Sequence, residues 1–298
     1  MRLYGGYKAR AIAIGSVLLA LAASAGAGFC GEKTSVWKVS SGKGTVYLLG
    51  SIHMLTEKDL PLPAAMSEAF ENAEVVVFEV DPDSLQAPSI QTYVLENAMC
   101  GEGETLQSEL GDSVYALAQE KAESLGVDLG PLSGFKPWFA AITLTLAEMQ
   151  RMGFDPMLGV EMQFAKRSKE AGKTVASLET AEYQLGLFVG LAGEEQRNFL
   201  LHTLSQLSDT EKELGKILAA WKTGALEALD QTLNKSFDEF PSIYERLVTQ
   251  RNRNWVGQID AFLESGKTHV VIVGVGHMPG REGLLELLAK KGYAIEQM

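Results

Sequence analysis

Thr45-Val46-Tyr47-Leu48-Leu49-Gly50-Ser51-Ile52-His53 is an apolar run that closes on Gly-x-x-His. A second copy, Val270-Val271-Ile272-Val273-Gly274-Val275-Gly276-His277, stands near the other end of the chain. Each run is short, apolar and bounded by glycine, which predicts a buried strand. Glycine at a strand exit lets the backbone turn sharply, so a histidine three residues later can face a crevice. In open α/β sheets that crevice, beyond the carboxyl ends of the strands, is where ligands bind. The chain has four histidines, and two of them sit in this pattern. The blander reading makes both of them strand-end residues bonded to backbone.

Working outward, Val36-Trp37-Lys38-Val39 and the Thr45 run flank Ser40-Ser41-Gly42-Lys43-Gly44 and predict an opening hairpin. A short helix is expected over Ala64 to Asn72. Glu74 to Asp81 reads as the next strand, stopped by Pro82, with Glu79 and Asp81 on one face by period-two alternation. From about Ser84 to Gly153 the pattern is helical, with one helix expected over Thr105 to Leu125 and another opening at Lys136-Pro137-Trp138. Phe139 to Met149 is apolar nearly all round, which predicts burial or the cover of a cleft. Met149, Met152, Met157 and Met162 are taken as core filler rather than a substrate groove. Gly159-Val160-Glu161 opens a helix to Ala171, and Lys173 to Thr180 reads as a strand delivering Glu179. Ser208-Asp209-Thr210-Glu211 offers a capping box. A long helix from about Ser242 to Leu263 carries Arg251, and a helix and short strand follow His277. The fold class is therefore α/β, a mixed central sheet with helical insertions covering it, at about 84–155 and 185–265.

Residues 1–27 stand apart. Arg2, Lys8 and Arg10, an apolar stretch from Ala11 to Ala23, and Ala25-Gly26-Ala27 have the order of a secretory signal peptide. Cys30 raises a lipoprotein alternative, but the bulky Phe29 before it disfavours lipidation. An exported protein follows, periplasmic first and secreted second, with the α/β domain over 28–298 and no stable membrane insertion once the signal is removed. The net charge of −12 becomes three units more negative without the signal, which disfavours nucleic acid and anionic membrane as partners. Cys30 and Cys100 could pair in an oxidising compartment, and two cysteines without close spacing make no zinc site.

The polar groups at expected strand ends are His53, Glu79, Glu179 and His277, while Glu161 and Arg251 lie on helices able to face the same crevice. Two neutral imidazoles with carboxylates suit Mn, Co, Fe or Zn. A hydrolase version keeps an open coordination position and a spare carboxylate as base, and an arginine can stabilise an oxyanion or hold a substrate carboxylate. The spacing lacks the HExxH helix that places two metal ligands by local geometry. Each residue also has a plain role: Glu79 and Asp81 as loop caps, Glu161 at the positive start of its helix, Arg251 and Arg253 in surface ion pairs. Two arginines two positions apart point in different directions, so at most one enters the cleft. His202 and His269 receive no role.

These residues resemble the TraB/GumN family, whose eukaryotic relatives include the Tiki proteins. The resemblance rests on Trp37-Lys38-Val39, Leu48 to His53, Val77 to Asp81, Gly159-Val160-Glu161, Gly172-Lys173, Leu178-Glu179-Thr180 with Gln184-Leu185, Arg251-Asn252-x-x-Trp255 and Gly274 to His277. It covers essentially the whole chain beyond the signal, and the bacterial GumN-like branch is the most similar. The resemblance implies a fold like that of erythromycin esterases and the haem-binding ChaN proteins. Tiki proteins are membrane-anchored metalloproteases dependent on Mn or Co. Carried over, His53, His277 and Glu79 are the expected metal ligands, and Glu79, Glu161 and Arg251 the expected catalytic groups. No anchor is present, so trimming of a cell-surface ligand does not carry over. Three readings stay open: a metal-dependent hydrolase acting on peptides or small molecules, a metal-free hydrolase in which a histidine activates water, and a non-enzymatic binder of haem, metal or peptide.

Overall fold

The computed structural model describes residues 33–207 and 210–298. The signal peptide, the Cys30–Cys100 pairing and the first half of the Ser208 capping box lie outside the described residues.

Six strands form one mixed sheet: β1 (Val36–Ser40), β2 (Thr45–Ser51), β3 (Val75–Phe78), β4 (Thr174–Ser177), β5 (Thr268–Gly274) and β6 (Ala294–Gln297). Their order across the sheet is β4-β3-β5-β2-β1-β6. The hairpin β1–β2 and the β1–β6 pair are antiparallel, while β2, β3 and β4 join the sheet through parallel pairing to β5 or β3. The α/β class and mixed sheet thus hold. The two Gly-x-x-His strands are immediate neighbours, with Gly50 opposite Val273 and Ser51 opposite Gly274. Both loops therefore leave the same edge of the sheet.

Period-two alternation sorts the strand residues onto two covered faces. Tyr47, Leu49, Val76, Phe78, Val270 and Ile272 face Phe70, Phe164 and Trp221. Val46, Leu48, Val75, Val77, Val271 and Val273 face Trp255, Ile259, Leu263 and Leu288. The Val160–Glu170 helix belongs to the first layer and the Gln250–Glu264 helix to the second. The latter falls within the span expected as the second insertion, and its Trp255, Ile259 and Leu263 complete the core under the sheet. A third, all-helical core stands apart, built by Leu106, Leu110, Leu132, Leu144, Leu200 and Leu204.

Several local expectations change. The run Thr105 to Leu125 is two helices, Leu106–Leu110 and Asp112–Ser124, because Gly111 takes φ 73 and breaks the backbone path. The strand from Glu74 is shorter than its alternation suggested and ends at Phe78. Asp81 then accepts from the Asp83 backbone N–H and caps the helix Pro82–Leu85, so it does not share the Glu79 face. The methionines are not all core filler: Met162 lines a pocket with His53 and His277, and Met157 is 60% exposed. The helix through Ser242 contains a π-helical turn, Glu245–Thr249, between Pro241–Tyr244 and Gln250–Glu264. Such turns insert an extra residue per helical repeat and are frequent at functional sites. Among the described residues no helix is long and apolar enough to cross a membrane.

Candidate active site

The carboxyl edge of the sheet opens into a pocket of about 580 Å³ whose lining includes His53, Glu79, Glu161, Arg251 and His277. The five residues expected as metal ligands or catalytic groups therefore meet at one place. They arrive from opposite layers. His53 and Glu161 come over the face that packs Phe164, whereas Arg251 and His277 come with the Trp255 layer. Glu79 continues the Val75-Val77 row toward that second layer.

The loop after β2 is held by backbone contact with the Val160–Glu170 helix. Val160 N–H donates to the Ile52 carbonyl at 3.1 Å. A Cβ on Gly159 would sit 2.1 Å from the His53 carbonyl oxygen, which explains why this position is glycine. Glu161, in the first turn of the helix, then reaches back to His53. Its Oε1 accepts from His53 Nδ1 at 2.6 Å and from Ser51 Oγ at 2.5 Å. Gly159→Ala is expected to cost about 1–3 kcal/mol by forcing the two backbones apart. It should also move the His53 ring resonances in NMR spectra. Unchanged urea unfolding and unchanged His53 resonances would show that this contact does not hold the loop.

Glu161 raises the His53 pKa to about 9, so the ring is an imidazolium at neutral pH, its Nδ1–H donating to the carboxylate. Because 66% of the His53 side chain is exposed through the pocket, water screens that attraction. Burial alone would raise the Glu161 carboxyl, but His53 and Ser51 bring it below the usual value.

His277 is the opposite case. Asn252 donates its amide N–H to the Glu282 carbonyl at 2.8 Å, which turns its oxygen toward His277. That oxygen stands 2.6 Å from Nδ1, so Nδ1 carries the hydrogen and donates. Nε2 is left as an acceptor and takes an N–H from Arg251 Nη1 at 3.2 Å. Burial, with Arg251 nearby, lowers the His277 pKa to about 3 and keeps the ring neutral.

Arg251 ties the second layer together. Its Nε donates to both oxygens of Glu179, at 3.0 and 3.1 Å. Nη1 donates to the Leu247 carbonyl as well as to His277, and Nη2 donates to Glu79 Oε2 at 2.5 Å and to Glu179 Oε2 at 2.9 Å. A guanidinium has five N–H bonds, and all five are engaged. Arg253, by contrast, is exposed and pairs with Glu245 and Glu282, so one arginine of the two enters the site. The π-helical turn supplies Leu247, whose carbonyl helps to hold the guanidinium.

Burial would raise the Glu79 carboxyl, but Arg251, the two histidines and a 2.6 Å bond from the Gly274 N–H hold it at about 2. A Cβ on Gly274 would lie 3.3 Å from both Glu79 Oε1 and His53 Nε2, so the close approach of these groups needs glycine at this strand end. Glu179 goes the other way. Burial raises its carboxyl and the neighbouring Glu79 charge adds to this, despite Arg251.

Four further residues belong to the site. Glu179 stood among the strand-end carboxylates but without a role. Gln184 donates to Glu79 Oε2 at 3.0 Å. Trp255 donates Nε1–H to Glu179 at 2.9 Å, packs its ring 4.5 Å from that of His277 and lies under Arg251. Asn252 orients His277. The signal for these last two was the Arg-Asn-x-x-Trp spacing, which brings positions 251 and 255 onto one helix face. His202 packs between Phe237 and Phe240, and His269 stacks on Phe262, both away from the pocket.

Comparison with known proteins follows this geometry. YbaP of Escherichia coli (strain K12), described as an uncharacterized protein, is 26% identical over 242 residues, covering 81% of this chain and 87% of its own. An uncharacterized protein of Treponema pallidum (strain Nichols) is 22% identical over 275 residues, covering 86% of this chain and 80% of its own. No solved structure matches significantly. The pattern that defines the TraB/PrgY/gumN family matches residues 35–297, from the first strand through both Gly-x-x-His loops to the last, and the protein belongs to that family.

Proposed function

We propose that the pocket is the active site of a hydrolase acting on peptides or small molecules, with a divalent metal as its resident cofactor. The observation that carries this reading is the treatment of the two histidines. In each, Nδ1 is tied to a fixed oxygen, Glu161 or Asn252, and Nε2 lies on the side of Glu79, where at His277 a metal would displace the N–H of Arg251. Metal-ligating imidazoles are oriented in this way by partners on their other nitrogen.

The donor set fits an ion in chemistry and in charge. His53, His277 and Glu79 supply two imidazole nitrogens and a carboxylate, suited to Mn or Co first and to Zn or Fe also. Ligation would require His53 to release a proton; with both rings then neutral, three carboxylates (Glu79, Glu161, Glu179) face one guanidinium, leaving two negative charges that a divalent cation would balance. Among the described residues no three acidic, cysteine or histidine groups are already gathered around one point, because Arg251 stands against both Glu79 and His277. When bound, the ion would supply Lewis acidity. The chain's own residues orient and exclude: Glu161 and Asn252 aim the imidazoles, Arg251 pins Glu79 and Glu179, and the helical walls limit water. We also propose that the protein works in the periplasm, on the signal-like order of residues 1–27.

A second reading is favoured by the His53–Glu161 pair itself. A solvent-reachable imidazole backed by a half-buried carboxylate can move a proton at Nε2 between water and a leaving group without metal. The test uses the purified protein on a broad panel of peptides and esters, stripped with chelator and then reloaded. Loss of turnover on stripping, with recovery on Mn or Co, is the expected result. Turnover that survives exhaustive chelation selects the His53–Glu161 reading, and no turnover on any member of the panel overturns both in favour of a binding protein.

A further inference from the structure

Beyond the reacting groups, the pocket is built from two kinds of surface that do not mix. Its floor carries every ionisable group in the lining. Its walls are Leu85, Met162, Leu187, Phe188, Leu247 and Val248, contributed by four separate helical segments. Phe188 is a firm wall, since it stacks on Trp138 at 6.2 Å and meets Phe199 at 5.6 Å.

The floor is net negative, since the carboxylates of Glu79, Glu161 and Glu179 outnumber its two cations, Arg251 and His53, and each cation is already paired with a carboxylate. Arg251 has spent all five N–H bonds on Glu79, Glu179, Leu247 and His277. His53 is already paired with Glu161. A charged side chain of either sign seated against the walls would be desolvated there with no charged group on them to pair with, which is costly. An oligosaccharide would need many hydrogen-bonding groups, and the walls add only Gln86 and Gln184, the latter already bonded to Glu79.

We infer that the pocket selects an uncharged apolar group beside the bond to be cleaved, an aliphatic or aromatic side chain seated against Met162, Leu187, Phe188 and Leu247. This rests on the hydrolase reading for the word cleaved, but not for the binding preference. Pockets of this kind take their affinity from apolar walls and their orientation from a few polar groups at one end. The assignment makes Met162 and Leu247 specificity residues. Both are half-buried and reachable, unlike the fully buried core under the sheet.

The test is binding, read without turnover. The full chain is labelled with 13C at its methionine methyls, the Met162 signal is assigned with Met162→Leu, and four probes are titrated: N-acetyl-phenylalaninamide, N-acetyl-leucinamide, N-acetyl-aspartamide and N-acetyl-lysinamide. The phenylalanine and leucine amides should shift the Met162 methyl with saturation at concentrations at least about tenfold lower than the charged pair. Leu247→Gln should weaken the apolar amides and leave the folded spectrum otherwise unchanged. Equal or tighter binding of the aspartate or lysine amide overturns the inference, as does a Met162 methyl that none of the four moves. Apolar binding with no cleavage of the matching peptides would instead leave the inference standing and count against the hydrolase reading.

Discussion

Replacing Arg251 by methionine is expected to lower the stability of the fold by about 3–5 kcal/mol, because it strands buried carboxylates. Glu79 and Glu179 expose only 9% and 4% of their side chains, and Arg251 is the cation that both of them meet. Methionine keeps much of the side-chain length but supplies no N–H bond, so the loss isolates the charge and hydrogen bonding. Lysine should rescue little, since one ammonium cannot reproduce a planar fork that reaches Glu79, Glu179, His277 and a carbonyl together. Urea unfolding of the wild type and the variant measures the difference as a shift in midpoint.

The same experiment repeated against pH gives the sign. The folded Glu79 carboxyl lies at about 2, below its ordinary value of 4.5, so its ion pair contributes stability that is complete above 4.5. That contribution falls as pH drops through the interval and is gone below about 2. The gap between Arg251→Met and wild type should therefore narrow in acid. A variant within about 1 kcal/mol of wild type at neutral pH would show that Arg251 does not pin the site.

His53→Ala and His277→Ala are each expected to reduce turnover by about a thousandfold or more, with far-ultraviolet circular dichroism unchanged. Their combination should be little worse than either alone, because residues that act as a unit are not additive. Bound metal, measured by elemental analysis after reloading with Mn, should drop in both single variants. Asn252→Ala and Glu161→Gln reach each ring at its far nitrogen and should cost roughly 10–100-fold in metal affinity. If His277→Ala kept wild-type turnover and metal content, the two loops would not form one centre. In that case His53 with Glu161 would be the working pair.

What could be read from the residues, and what could not, divides along a physical line. The apolar runs before Gly50 and Gly274, the stop at Pro82 and the helix opened by Pro137 are local signals, set by backbone preference and by alternation over a few residues. They place strands, their exits and therefore His53, Glu79 and His277 at one edge of a sheet. Glu161 and Arg251 are legible only as helix residues able to face the same crevice, and the family resemblance made them expected catalytic groups. Gly111 shows the limit of periodicity, since one positive φ divides a run whose apolar spacing continues across it.

The sequence by itself determined the α/β class, the pairing of the two Gly-x-x-His strands with a common site, and which of Arg251 and Arg253 could share it only as an exclusion. Tertiary structure alone decided that Arg251 is the buried one, that Glu179 and Trp255 brace it, and that Asn252 leaves His277 neutral while Glu161 charges His53. The reason is distance along the chain. Arg251 meets Glu79 across 172 residues and His53 meets Glu161 across 108, so protonation and hydrogen bonding depend on which side of the sheet each helix packs. No local pattern carries that choice; it is made when the two layers close over the strand ends.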